Sequence, residues 1–175
     1  MNQPPNIFAG MRTAEVFKQG SYFAPGIYNV KIIRCLIKQT RMGKLAFIAE
    51  LETTASNNPA EQIGTTKTWY QDMSTNPATG QSALKEFALA VYQIDQSNTQ
   101  KVNEFSQQIE GICAAAVSDA NPWAGQKIRL EVFMKKTKVK GGDFSVHRWT
   151  PFDGTEPPTQ AYVPTAPQVA PFPMQ

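Results

Sequence analysis

The chain has 175 residues, 41% of them hydrophobic, which suits one domain with a real core and leaves no room for a second full one. A formal charge of +3 is mild, so where the charge sits says more than its total. Cys35 and Cys113 form no CxxC pair and read as reduced core thiols. No window holds the roughly 18 apolar residues of a membrane span, and the start MNQPPNIF lacks the basic end and apolar run of a signal peptide. The expectation is a soluble cytoplasmic protein without membrane contact.

Residues 1–25, with Pro4 and Pro5 adjacent, read as an arm lying over the domain. Gly26 to Thr40 is the first strong strand. Tyr28, Val30 and Ile32 alternate on one side, after which Ile33, Cys35 and Ile37 take over. A one-residue change of phase predicts a bulge or sharp bend, common in small closed barrels. Arg41-Met42-Gly43-Lys44 reads as a hairpin turn, Leu45 to Thr54 as the second strand and Gly64 to Asp72 as the third. SALKEFALAVYQI spaces Leu84, Phe87, Ala88 and Val91 for a helix that Ser82 could cap, and a second amphipathic piece runs from about Val102 to Val117. Gln126 to Val139 is the fourth strand, with Ile128, Leu130, Val132 and Met134 facing inward. Lys140-Gly141-Gly142-Asp143 turns the chain into a fifth, Phe144 to Pro151. Residues 152–175 hold six prolines and one glycine and read as a disordered or extended tail.

Three strands, a helical insert and two more strands is the order of the OB-fold, a five-stranded Greek-key barrel. An open α+β sheet under a helical layer would give the same string. The fold class expected is mainly β, OB-fold-like over residues 26–151, with the helical insert between strands three and four.

The charge is segregated. Residues 26–44 carry Lys31, Arg34, Lys38, Arg41 and Lys44 and no acid, while residues 127–148 carry seven basic residues against Glu131 and Asp143. OB-folds bind oligonucleotides across strands two and three, framed by the two loops that here are the RMGK and KGGD turns. A polyanion between them would meet Arg41 and Lys44 on one side and Lys135, Lys136, Lys138 and Lys140 on the other, in salt-sensitive contacts without base specificity. Lysines that merely guard exposed strand edges would look the same at either turn alone. Lys31, Arg34, Lys38, Lys67, Arg129 and Arg148 complete the basic set. Single-strand binders add aromatic platforms. Phe133 falls in the polar phase with Arg129 and Lys135, and Trp149 falls opposite Phe144 and Val146. Of the adjacent Trp69 and Tyr70, Trp69 shares the phase of Lys67 and is the expected exposed ring.

The lone His147 cannot build a multi-histidine metal site, and neither a GxxxxGK[ST] loop nor a GxGxxG turn is present. Glu50, Glu52 and Asp72 could be clustered for two-metal nuclease chemistry, but acids on a strand's solvent face are far commoner. No enzyme and no cofactor is expected.

GIYNVKI opening strand one, the basic turn TRMGK, GTTKTWY followed by SALKEFALAV, and GQKIRLEVFMKK followed by FSVHRWTP together resemble bacteriophage-type single-stranded DNA-binding proteins with an OB-fold, over about residues 22–151. The resemblance implies protection of single strands, without sequence specificity, in replication, recombination or repair of phage DNA in the host cytoplasm. It also implies partner replication or recombination proteins, although the usual acidic tail is replaced here by a proline-rich one in which Phe172 could be an anchor. Homo-oligomerisation is compatible with the sequence. An RNA-binding module on the same fold, and a structural or adaptor protein whose basic hairpins meet an acidic partner, are the alternatives.

Overall fold

A computed structural model describes residues 22–136 and 143–158. It contains β1 (Gly26–Gln39), β2 (Leu45–Ser56), β3 (Thr66–Asp72), α1 (Pro77–Val91), α2 (Thr99–Ser106), α3 (Ile109–Ala116), β4 (Lys127–Lys136) and β5 (Asp143–Pro151). All strand pairs are antiparallel, in the order β3-β2-β1-β4-β5. The chain is mainly β, and no β3–β5 ladder closes the sheet into a barrel among the described residues. No described helix is long and apolar enough to cross a membrane.

The sheet nevertheless curls hard. Laid flat, it would hold β3 and β5 four strand spacings apart, about 19 Å, yet the rings of Trp69 on β3 and Trp149 on β5 are 5.0 Å apart. Phe87 of α1 fills the space between the two edges. Its ring stacks on Trp69 at 5.0 Å and meets Trp149 edge-on at 4.9 Å, with Trp123 at 5.7 Å and Phe47 at 6.0 Å. These five rings, with Tyr28, Val30, Ile32, Leu51, Ile128, Leu130 and Val132, make up most of the core.

The long β1 serves two partners because it bends. Register shifts against β2 fall between Asn29 and Val30 and between Ile32 and Arg34, so the change of phase in the sequence is a bulge at Ile33. Tyr28, Val30 and Ile32 are fully buried before it and Cys35 after it, whereas Ile33 at the bulge and Ile37 beyond the core are exposed. Met134 is also exposed, contrary to its inward phase, because Val132 is the last β4 residue paired with β1 and the strand runs on past the described core. The helix start differs too. Pro77 occupies the first turn and Asn76, not Ser82, is the cap, its side chain accepting from the Thr79 N–H at 3.2 Å. The second amphipathic piece is two short helices, α2 and α3, separated at Gln107–Gln108.

Both flanks of the domain are pinned where they are described. Phe23 is buried against Tyr28, whose hydroxyl donates to the Ala24 carbonyl at 2.7 Å. At the other end, Arg129 holds residues 153–155 by donating to the Asp153 carboxylate and the Thr155 carbonyl, and Asn29 donates to the same carbonyl. Residues 152–158, expected to begin a loose tail, are thus tied to the β1–β4 face. The arm residues 1–21 and the tail residues 159–175 lie outside the described residues.

Candidate nucleic-acid interface

The outer face of the sheet follows from the register. Residues directly opposite in an antiparallel pair share a face, so Lys31, Glu52, Arg34, Glu50, Leu36, Ile48 and Tyr70 lie on the same side as Arg129, Glu131, Phe133, Val146 and Arg148. The opposite face carries the core. Most of the basic residues expected to meet phosphate are on the outer face or at its turns, but they divide sharply by what else they touch.

Three of the expected contacts are interior. Trp69 and Trp149 are almost fully buried and belong to the aromatic core, not to a stacking platform. The cause is register, since Trp69 opposes Ala49 and Trp149 opposes Leu130, both core residues. Lys67 shares the inner phase of Trp69 and is likewise buried, in an ion pair with Glu61, donating to the Tyr22 carbonyl and lying 5.6 Å from the Phe23 ring. A lysine so enclosed is not a phosphate contact. Tyr70, whose neighbour was expected to be the exposed ring, is the exposed one.

Five more cations are neutralised on the spot. Arg34 forks onto Glu50 with two bonds of 2.7 Å, Lys31 pairs with Glu52, Arg148 with Glu131 at 3.2 Å, Arg129 with Asp153 at 2.8 Å, and Lys44 lies 3.9 Å from Asp72 while bonding Thr75. Glu50, Glu52 and Asp72 are therefore each answered by a cation, and no group of three potential metal-ligating side chains occurs among the described residues. Asp72 is held down to about 2 chiefly by the Thr75 hydroxyl, helped by the Thr75 and Ser74 N–H groups that its carboxylate accepts. It organises the turn into α1. Lys38, Arg41 and Lys135 are exposed and make no ion pair among the described residues, while the exposed Lys136 stands opposite Asp143 in the β4–β5 register. Lys138 and Lys140 lie outside the described residues.

What the outer face does offer is aromatic surface that the phase of β5 had assigned to the core. Phe144 is 47% exposed and opposes Lys135, while Val146 opposes Phe133. The Arg148 guanidinium lies 5.3 Å from the centre of the half-buried Phe133 ring. Phe133, Phe144, Val146 and Arg148, bordered by Lys135, form an apolar and basic platform at one end of the sheet. Leu36, Ile48 and Tyr70 form a row across the other three strands. The signal that would have found Phe144 is the pairing of Trp149 with Leu130, which sets the phase of β5 and is not readable from β5 alone.

The two basic hairpins are not neighbours. β4 runs antiparallel to β1 and its Val132 pairs with Gly26, so residues 133–136 of β4 and the start of β5 lie past the start of β1, while the β1–β2 turn sits past its end. A ligand touching both would have to cross the length of the outer face. A comparison with protein-family profiles found no match, nor did one with curated proteins.

Proposed function

We propose that this chain binds single-stranded DNA without sequence specificity, through the outer face of an OB-type sheet, and has no catalytic role. The observation that carries the reading is the Phe133–Arg148 platform with exposed Phe144 beside it and Lys135, which makes no ion pair among the described residues. A base can stack on a ring or on a guanidinium plane while neighbouring ammonium groups take the phosphates, and neither contact depends on base identity. The strand order, with its two edges drawn together around Phe87, supports a partly open OB arrangement in which α1 takes the place of the missing ladder. Replication, recombination or repair is the setting in which such coating is useful.

The test is fluorescence anisotropy of a labelled 30-nucleotide oligo-dT against the matched duplex and an RNA oligomer, at two salt concentrations. Tight, salt-sensitive binding to the single strand and weak binding to the duplex is expected. Removal of Phe144 or Phe133 as alanine should cost about 1–3 kcal/mol each with little change in salt dependence. Equal, weak binding to every oligonucleotide would defeat the proposal and bring the adaptor reading forward.

A further inference from the structure

Beyond the bulge at Ile33, β1 has a neighbouring strand on only one side among the described residues. β4 pairs with β1 from Gly26 to Lys31, and the last contacts on that flank are Ile32 with Gln126 and Gly125. From Arg34 onward β1 pairs with β2 and with no other described strand. The alternation of the ladder settles which groups point outward. Thr40 donates toward β2, so Arg34, Leu36 and Lys38 face β2 as well, and Cys35, Ile37 and Gln39 turn their N–H and C=O groups to the open flank. The first of these is plugged. With the Asn121 amide turned so that both its ends are satisfied, its oxygen accepts from the Cys35 N–H at 2.9 Å and its nitrogen donates to the Ala116 carbonyl at 3.2 Å. The backbone groups of Ile37 and Gln39 have no partner on that flank among the described residues.

Natural sheets guard such an edge by covering it, twisting it or charging it, because a row of unpaired groups templates another strand. Here the covering stops at Cys35, and the side chains around the open stretch are apolar. Ile33, Ile37, Met42 and Leu45 are all exposed, with Ile37 at 46% and Leu45 at 49%, and Lys38 and Arg41, which make no ion pair among the described residues, stand beside them. We propose that this edge is a docking site for an extended acidic segment of another protein, added as a sixth strand. Its acidic side chains would alternate with apolar ones, the acids meeting Lys38 and Arg41 and the apolar residues covering Ile37 and Leu45.

Charge selects that occupant. Lys38 and Arg41 make no ion pair among the described residues, and a second copy paired edge to edge would bring these like charges together. The chain's own ends do not fit either. Residues 159–175 carry no charged side chain and residues 1–21 carry Arg12 and Lys18 against Glu15. The acidic part of this chain, residues 76–125, is spent on helices. The complement must come from outside. The inference does not rest on nucleic-acid binding and is tested without nucleic acid.

The probe is a fluorescein-labelled nine-residue peptide of alternating glutamate and valine, titrated into the full chain, with the lysine-for-glutamate peptide as control. Binding of the acidic peptide, slowed amide exchange at Ile37 and Gln39 in the complex, and weakening by about tenfold or more in Ile37→Pro are expected. Proline there removes an N–H that the β1–β2 ladder does not use. Should that variant misfold, Lys38→Glu with Arg41→Glu, both surface changes, must weaken the acidic peptide and leave far-UV circular dichroism unaltered. Equal binding of both peptides, undiminished binding by the variants, or protection mapped to other amides would overturn the proposal. So would sedimentation showing a reversible dimer of the chain alone that Ile37→Pro abolishes, since the edge would then belong to a second copy.

Discussion

Trp149 faces Leu130 across the β4–β5 pair, and its indole touches both Trp69 and Phe87. Deleting a core ring of that size leaves a cavity whose walls relax only partly, so Trp149→Ala should lower stability by about 3–5 kcal/mol. Denaturant unfolding measures this directly. The same substitution on a surface platform would change affinity and leave the unfolding midpoint nearly fixed. Phe144→Ala should show that second pattern, and the two variants together tell core from interface. His147 adds a titrating probe. Its imidazole shares the inner phase with Trp149, their rings 6.4 Å apart, and burial lowers its pKa below the ordinary value. The folded state then takes up its proton less readily than the unfolded one. The stability this contributes is complete above about pH 6.5 and declines as pH falls from there through the lowered folded pKa. Thermal midpoints should drop between about pH 7 and pH 5, and His147→Gln should flatten part of that slope. Because the chain has one histidine, its ring protons can be followed by NMR, and a midpoint at or above 6.5 would count against the buried setting.

Among the elements, β1 and α1 show which features local sequence can encode. The bulge in β1 was visible because the apolar alternation itself slips by one residue, and side-chain phase is the direct expression of strand geometry. The phase of β5 was not, because Phe144, Val146 and Trp149 form two apolar sets of similar weight. Only the partner strand decides between them, and through it the exposed platform of the candidate site. The same limit applied to Trp69 and Tyr70, adjacent rings sorted by their β2 partners Ala49 and Ile48. The basic hairpins were readable as charge, but the cross-strand acids that neutralise Arg34 and Arg148 come from β2 and β4 and needed the register. In α1 the telling residue is Gly80, which is buried against the turn that follows β3. A Cβ there would lie 2.5 Å from the Asp72 carbonyl oxygen and 3.1 Å from the Met73 sulfur, and the carbonyl belongs to backbone that the Asp72 turn holds in place. Gly80→Ala, favourable to an isolated helix, should instead destabilise the protein by about 1–3 kcal/mol through overpacking. An unchanged or raised melting temperature would show that α1 can slide away from β3.

For the molecule as a whole, segregated charge and available charge differ. Of the cations on the outer face, Arg34 and Arg148 already have carboxylates within bonding distance, so a phosphate must displace an acid before it gains a base. Lys38, Arg41 and Lys135 face no such competition among the described residues. At about 0.7 counterions released per contact on a single strand, these three would give a slope of about −2 in log affinity against log salt. Relieving the competition should steepen it. Glu50→Gln leaves a side chain of the same shape on the exposed face of β2 and removes the charge that holds Arg34, so the guanidinium becomes free to take a phosphate. Affinity for oligo-dT should then rise and the slope should grow steeper by about 0.7, with stability little altered because surface ion pairs contribute about 0–1 kcal/mol. Salt titrations of the wild type and Glu50→Gln at matched oligonucleotide length measure both effects. A slope that stays fixed while affinity also stays fixed would place the nucleic acid away from the β1–β2 half of the face and confine it to the Phe133–Phe144 platform.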